Sequence, residues 1–319
     1  MIGQTAVSIE FVSKFYRDQT ALDGLSLTVP EGSVFGLLGE NGAGKTTTIQ
    51  ILLGMIRPDA GHARVLGLDP SREGLEVRRK VGYVPEQPAL YDWMTVAEIG
   101  WFAAGFHPEP VVGPAGFLSR YEESTRGFGL PPNRKIKALS KGMRAKVSLA
   151  LATASNPSLL ILDEPTSGLD AMVRREFLEN MVDLAASGRT VFLSSHQLGE
   201  VERVASHVAL LHKGKLIIAE PLDELRARTF LLAVNFRDRD HLDAPPASLP
   251  LELIDAADAA RQAQWLVRAP DRQACEAVRN LPGVESLRIE SPSLEDVYVG
   301  YMRARRPLAG PSPEAVHVA

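Results

Sequence analysis

The chain has 319 residues, enough for one large domain plus a small one, or for two of ordinary size. A hydrophobic content of 45% and a charged content of 23% are ordinary for a globular protein, and a formal charge of −4 gives no overall pull toward nucleic acid or anionic lipid. No apolar stretch approaches the ~20 residues that span a bilayer, and the first residues lack a basic region followed by a long apolar run. The single Cys275 excludes an internal disulfide and a multi-cysteine metal site. The expectation is a cytoplasmic chain whose membrane role comes through a partner.

In chain order, Val7 to Val12 and Leu25 to Val29 read as strands, and Pro30-Glu31-Gly32 turns the chain into the apolar run Ser33 to Leu38. Next comes GENGAGKTT, that is Gly39-Glu40-Asn41-Gly42-Ala43-Gly44-Lys45-Thr46-Thr47, followed by the helical pattern Thr46 to Leu53. Strands are expected at His62 to Leu66 and Val81 to Val84, the latter ending in Pro85-Glu86-Gln87-Pro88. Thr95 to Phe106 reads as a helix with Thr95 and Glu98 in capping-box spacing, and Phe117 to Phe128 as another. Ser140 suits the N-cap of a helix running to about Ser155, which completes a mainly helical insertion over roughly residues 90 to 155.

Leu159 to Leu162 is apolar without alternation, the pattern of a strand buried on both faces, and it ends in Asp163-Glu164. The helix Ala171 to Ala186, the strand Thr190 to Leu193 ending in Ser194-Ser195-His196, and a helix over 197–205 follow. Val208 to Leu211 and Leu216 to Ala219 form a hairpin. Near Arg228 the character changes: a loop is expected over 237–251, then a strand at Trp265 to Arg268, a helix at Cys275 to Asn280, a strand at Val284 to Ile289 and a last helix that Pro292-Ser293-Leu294-Glu295-Asp296 starts and that ends near Arg303.

The chemistry starts at Gly39 to Thr47, which fits G-x-x-x-x-G-K-[S/T] in the strand–loop–helix context the pattern needs. Its glycines let the backbone turn N–H groups inward on a polyphosphate at the positive end of the following helix. Lys45 is placed to reach the β- and γ-phosphates and the Thr46 hydroxyl to ligate Mg²⁺. Acids at the carboxyl end of a buried strand belong to the same site: Asp163 facing the metal ion, and Glu164 holding a water in line and accepting its proton. His196, ending a second apolar strand, reads either as a γ-phosphate partner or as an ordinary surface or core histidine. Tyr16 reads either as a ring stacked on adenine or as a strand-edge packing residue.

The order of these motifs resembles the ATP-binding subunit of an ABC transporter over roughly residues 5 to 228. The resemblance rests on Tyr16, GENGAGKTT, LSKGM at 139–143, LLILDEPTSGLD at 159–170 and the SSH ending at His196. It implies an α/β fold, a P-loop cassette of mixed sheet, antiparallel β subdomain and helical insertion over residues 1–228. A small α+β appendage at 229–304 and a disordered tail at 305–319 complete the expectation.

It further implies ATP and Mg²⁺ as ligands, a head-to-tail pairing with a second cassette, identical or not, and a separately encoded permease, with no nucleic acid. The chain would then sit peripherally on the inner face of the membrane. Ser140 and Gly142 would contact the γ-phosphate held by the opposite cassette, Asp170 would cross the interface, Glu164 would be the base, and His196 the γ-phosphate partner. In the glutamine loop, either Glu86 takes the place facing Mg²⁺ and water, or the loop shifts by one and Gln87 takes it beside nucleotide and metal.

Two departures stand out. Lys141 replaces the first glycine of the signature, and Glu86 occupies the place directly after the proline where glutamine is usual. The appendage and PSLEDVYV at 292–299 are similar to the exporter branch. The alternative, an ATPase of this superfamily acting on ribosomes or DNA, is disfavoured by the single phosphate loop, the short interval between the motifs without heptads, and the net charge.

Overall fold

The computed structural model describes residues 4–107, 113–237, 242–259 and 261–304. The tail expected at 305–319 lies outside the described residues, as do four residues of the loop expected at 237–251. The chain divides into two compact units, Met1–Glu220 and Pro221–Ala319, so the division falls ahead of the expected boundary at 228.

The first unit opens with β1 (Thr5–Tyr16) and β2 (Gln19–Pro30), an antiparallel hairpin whose last pair is Tyr16 with Gln19. β3 (Val34–Leu38) is buried at every position and feeds the 39–44 loop, and α1 (Lys45–Leu52) starts at Lys45 itself. β4 (Ala60–Val65) returns to pair antiparallel with β1, giving a three-stranded sheet of order β2-β1-β4. α2 (Pro70–Lys80) was not legible in the apolar pattern because it buries only Pro70 and Val77. What starts it is its N-terminus, where Asp69 accepts from Ser71 N ahead of Pro70. β5 (Val81–Val84) follows.

The helical insertion is α3 (Val96–Ala104), α4 (Gly113–Gly127) and α5 (Lys141–Ala154). Both halves of the expected capping box are made at α3, with Glu98 N donating to Thr95 Oγ1 at 3.2 Å and Thr95 N to Glu98 Oε2 at 2.7 Å. The three helices enclose their own core around Ile99, Phe117, Tyr121 and Val147.

β6 (Leu159–Asp163), α6 (Ala171–Ala186), β7 (Thr190–Ser195), α7 (Leu198–Val201), β8 (His207–His212) and β9 (Lys215–Pro221) complete the unit. α7 is a single turn, far shorter than the helix expected over 197–205. The central sheet has six strands in the order β5-β6-β7-β3-β8-β9. Its inner pairs are parallel, while Lys213 (φ 47) and Gly214 (φ 79) make the tight turn that sends β9 back along β8. Parallel β3, β5, β6 and β7 all end at one edge, so the loops after Leu38, Val84, Asp163 and Ser195 come together there.

The second unit runs α8 (Leu222–Arg228), β10 (Thr229–Phe236), β11 (Glu252–Ala259), β12 (Gln262–Arg268), α9 (Arg272–Glu276), β13 (Val284–Glu290) and α10 (Leu294–Ala304). Its strands form an antiparallel sheet of order β11-β12-β10-β13 over a core containing Phe230, Leu232, Trp265, Val267 and Cys275. β12, β13 and α10 overlap elements expected from sequence, whereas α8, β10 and β11 were not expected. β11 reads ELIDAADA, poor in the β-branched and aromatic residues that mark strands, and its state is set by pairing with β12.

Candidate active site

The 39–44 loop is shaped by contacts as much as by its own turns. A Cβ at Gly39 would run into the Leu211 carbonyl oxygen of β8. Gly44 caps α1 in a left-handed conformation, φ 111, where a side chain is strained. Lys45 is buried, and its Nζ donates to the carbonyl oxygens of Gly39 at 2.6 Å and Glu40 at 3.2 Å. Beside this loop is a cavity of about 440 Å³, lined by the loop, the start of α1, Tyr16, Gln19, Ala21, Glu86 and Glu164. The first turn of α1 carries no acid, so the positive end of the helix faces the cavity uncompensated.

Asp163 and Glu164 are 3% and 7% exposed, which for carboxylates demands partners. Asp163 Oδ1 accepts from Ser194 Oγ at 2.6 Å, and the same hydroxyl oxygen accepts from Glu164 N at 3.1 Å. β7 thus clamps the end of β6 through one serine. Glu164 has φ 47, a left-handed backbone that a non-glycine residue adopts only when its surroundings impose it. Its two carboxylate oxygens are divided: Oε2 meets His196 Nδ1 at 2.7 Å and accepts from His196 N at 3.2 Å. Oε1 lies 3.0 Å from Lys45 Nζ as an ion pair but accepts no hydrogen bond. Half-buried Tyr83, one strand away on β5, has its phenol pushed up to about 12, first by burial and then by the charge of Asp163.

The donor set fits a nucleotide with a hard cation. Among the described residues no cluster of three or more His, Cys, Asp or Glu is arranged to hold a metal ion by itself. Asp163 and the Thr46 hydroxyl are oxygen donors only, which suits Mg²⁺, an ion that keeps waters and shares phosphate oxygens.

Of the remaining expected site residues, Glu40, Asn41, Gly42, Gly44, Thr46 and Thr47 line the cavity with Lys45, and Gly39 and Ala43 form the buried back of the loop. Tyr16 lines it too, 44% exposed, with Lys14 Nζ 5.5 Å from its ring centre. Glu86, not Gln87, is on the cavity wall; Gln87 lines a neighbouring cleft. Ser140, Gly142 and Asp170 line no part of the cavity of their own chain. Ser140 caps α5 by accepting from Met143 N at 3.2 Å, and Asp170 caps α6 by accepting from Met172 N and Val173 N.

Sequence reasoning missed Gln19 and Ala21, which the hairpin pairing brings beside Tyr16, and Ser194, whose only signal was its place before His196. It also missed Glu200, which receives Arg174 at 2.7 Å and the Thr166 hydroxyl at 2.8 Å, while Arg174 donates to Leu169 O at 2.9 Å. That network braces the 165–170 loop.

The comparisons with known proteins agree with this geometry. The family described as ABC transporter matches residues 22–167. A daunorubicin resistance ATP-binding protein of Streptomyces coeruleorubidus is 32% identical over 311 residues, covering 93% of this chain and 96% of that one. An uncharacterized ABC transporter ATP-binding protein of Nostoc is 40% identical over 66% of this chain, which spans 63% of that relative's length. A bacitracin transport ATP-binding protein of Bacillus licheniformis is 34% identical, covering 70% of this chain and 72% of its own. Among solved structures, an ATP-binding subunit of an ABC transporter is 32% identical with a TM-score of 0.63, over 70% of this chain and 92% of that one. The chain therefore belongs to the ATP-binding proteins of ABC transporters and is an ATPase of that family.

Proposed function

We propose that the chain hydrolyses ATP with Mg²⁺ to drive outward transport through a separate membrane permease, acting as one of two cassettes paired head to tail. The observation that carries the catalytic assignment is Glu164, buried at the cavity wall with one oxygen on His196 and the other beside Lys45. In this reading Glu164 takes the proton of the attacking water, His196 holds the carboxylate in line, and Lys45 turns from the loop carbonyls to the phosphates. Mg²⁺, held by Thr46 and Asp163 when bound, neutralises charge on the phosphate oxygens. Tyr16 supplies a ring face for the adenine.

Ser140 and Gly142, absent from their own chain's cavity, serve the nucleotide of the second cassette, and Asp170 lies at the interface between the two. Among the described residues no helix is long and apolar enough to cross a membrane, which supports peripheral attachment through the permease on its inner face. Relatives named for daunorubicin resistance, bacitracin transport and Nod factor export support the outward direction.

Glu164→Gln tests the assignment. Turnover should fall about 10²–10⁴-fold, ATP binding should persist, and ATP should drive the variant into dimers in gel filtration. Unchanged turnover overturns Glu164 as the base.

A further inference from the structure

Both departures from the family pattern, Glu86 and Lys141, line one cleft of about 280 Å³ between the central sheet and the helical insertion. Pro85, Glu86 and Ser167 form its core side, and Lys141 and Arg144 its insertion side. Glu86 is also the one described residue shared with the wall of the nucleotide cavity. Glu86 therefore lines two spaces of different charge. On the cavity side are Lys45 and the acids Glu40 and Glu164; on the cleft side are two cations.

Of those cations Arg144 is already paired, its guanidinium 2.8 Å from Asp92 Oδ1. Lys141 has no such partner among the described residues: its ammonium rests over the bare Cα of Gly168, where a Cβ would collide with it. The cation available to Glu86 is Lys141.

We propose that Glu86 is shared between the two spaces, and that Lys141 tunes nucleotide binding in its own chain by holding this carboxylate. Without a divalent cation, polyphosphate and Glu86 repel, and Lys141 draws the acid across the cleft. With a divalent cation the acid turns back to the cavity, and the pull between core and insertion is released. Lys141 is a positioning residue here, acting through Glu86. The proposal rests on the nucleotide reading of the cavity and adds an acid that senses whether the nucleotide carries its cation.

The test is equilibrium binding of a fluorescent ATP analogue to the full chain, with EDTA or with Mg²⁺, for wild type, Lys141→Gln, Glu86→Gln and the double variant. In EDTA, Lys141→Gln should weaken binding about 2–5-fold, the range of an exposed charge pair. The same change in the Glu86→Gln background should do nothing. The effect of Lys141→Gln should vanish with Mg²⁺ and shrink at high salt, which a merely structural role would not do. Equal weakening in both backgrounds, no effect in EDTA, or an effect that grows with protein concentration as for a contact on a second copy's nucleotide, each overturns the proposal. Failure of the wild-type chain to bind the analogue sinks both this and the nucleotide reading.

Discussion

Glu164 is held from three directions, by Lys45, by His196 and by the Ser194 oxygen that its backbone N–H meets, and its positive φ is the cost of that placement. Removing one restraint should therefore cost activity more than binding. His196→Ala is expected to lower turnover about 100-fold while ATP affinity changes only a few-fold, measured by steady-state hydrolysis beside nucleotide titration. Ser194→Ala strips a buried carboxylate of its donor and should destabilise the chain by about 1–3 kcal/mol, read from urea unfolding.

Tyr83 adds a pH signature. The folded state raises its phenol from 10.0 to about 12, so the folded chain keeps a proton that the unfolded chain gives up sooner. The stability this contributes is fully present below pH 10.0 and is lost as pH rises toward about 12, so Tyr83→Phe should flatten the fall in unfolding free energy across that window. The partnerships of Glu164 with Lys45, His196 and Ser194 were not legible beyond residue type, because each joins segments at least 30 residues apart in the chain.

At the scale of elements, α3 shows what local chemistry can specify. Its capping box was readable as Thr95 and Glu98 three residues apart, and both bonds form. Thr95→Ala should cost about 1 kcal/mol of stability. The Glu98 carboxyl is held below its usual value of 4.5, chiefly by the hydrogen bond from the Thr95 backbone. That contribution is present above 4.5 and is lost as pH falls through the lowered folded value, and Glu98→Gln should remove this acid-side slope from thermal unfolding curves.

By contrast α2, β10 and β11 escaped the sequence reading for different reasons. α2 turns most of its surface to solvent and so lacks an apolar stripe. β10 sits at the centre of its sheet between two strands that lie later in the chain, and β11 is made a strand by its neighbour rather than by its composition.

At the scale of the molecule the two units have separate cores. The three tryptophans divide between them: Trp93 and Trp101 are exposed on the insertion, while Trp265 is 0% exposed in the second unit. Trp265→Ala should cost that unit about 3–5 kcal/mol, seen as faster hydrogen exchange of β10 and β12 amides. ATP affinity at the first unit should stay within about twofold, inside the usual reach of a substitution that touches no nucleotide contact. A large loss of ATP affinity would show that the second unit supports the nucleotide site.

By itself the sequence determined the phosphate loop, the paired acids after a buried strand, the capping signals and the order of motifs that marks the family, because each is a matter of residue type at short spacing. Only the tertiary structure decided which side chains meet. Parallel strands of order β5-β6-β7-β3-β8 bring residues from 45 to 196 to one sheet edge, divide the Glu164 oxygens between lysine and histidine, and put Glu86 rather than Gln87 on the cavity wall. The physical reason is register: the direction and stagger of a strand are set by neighbours far along the chain, and a one-residue shift reverses which side chain faces the site.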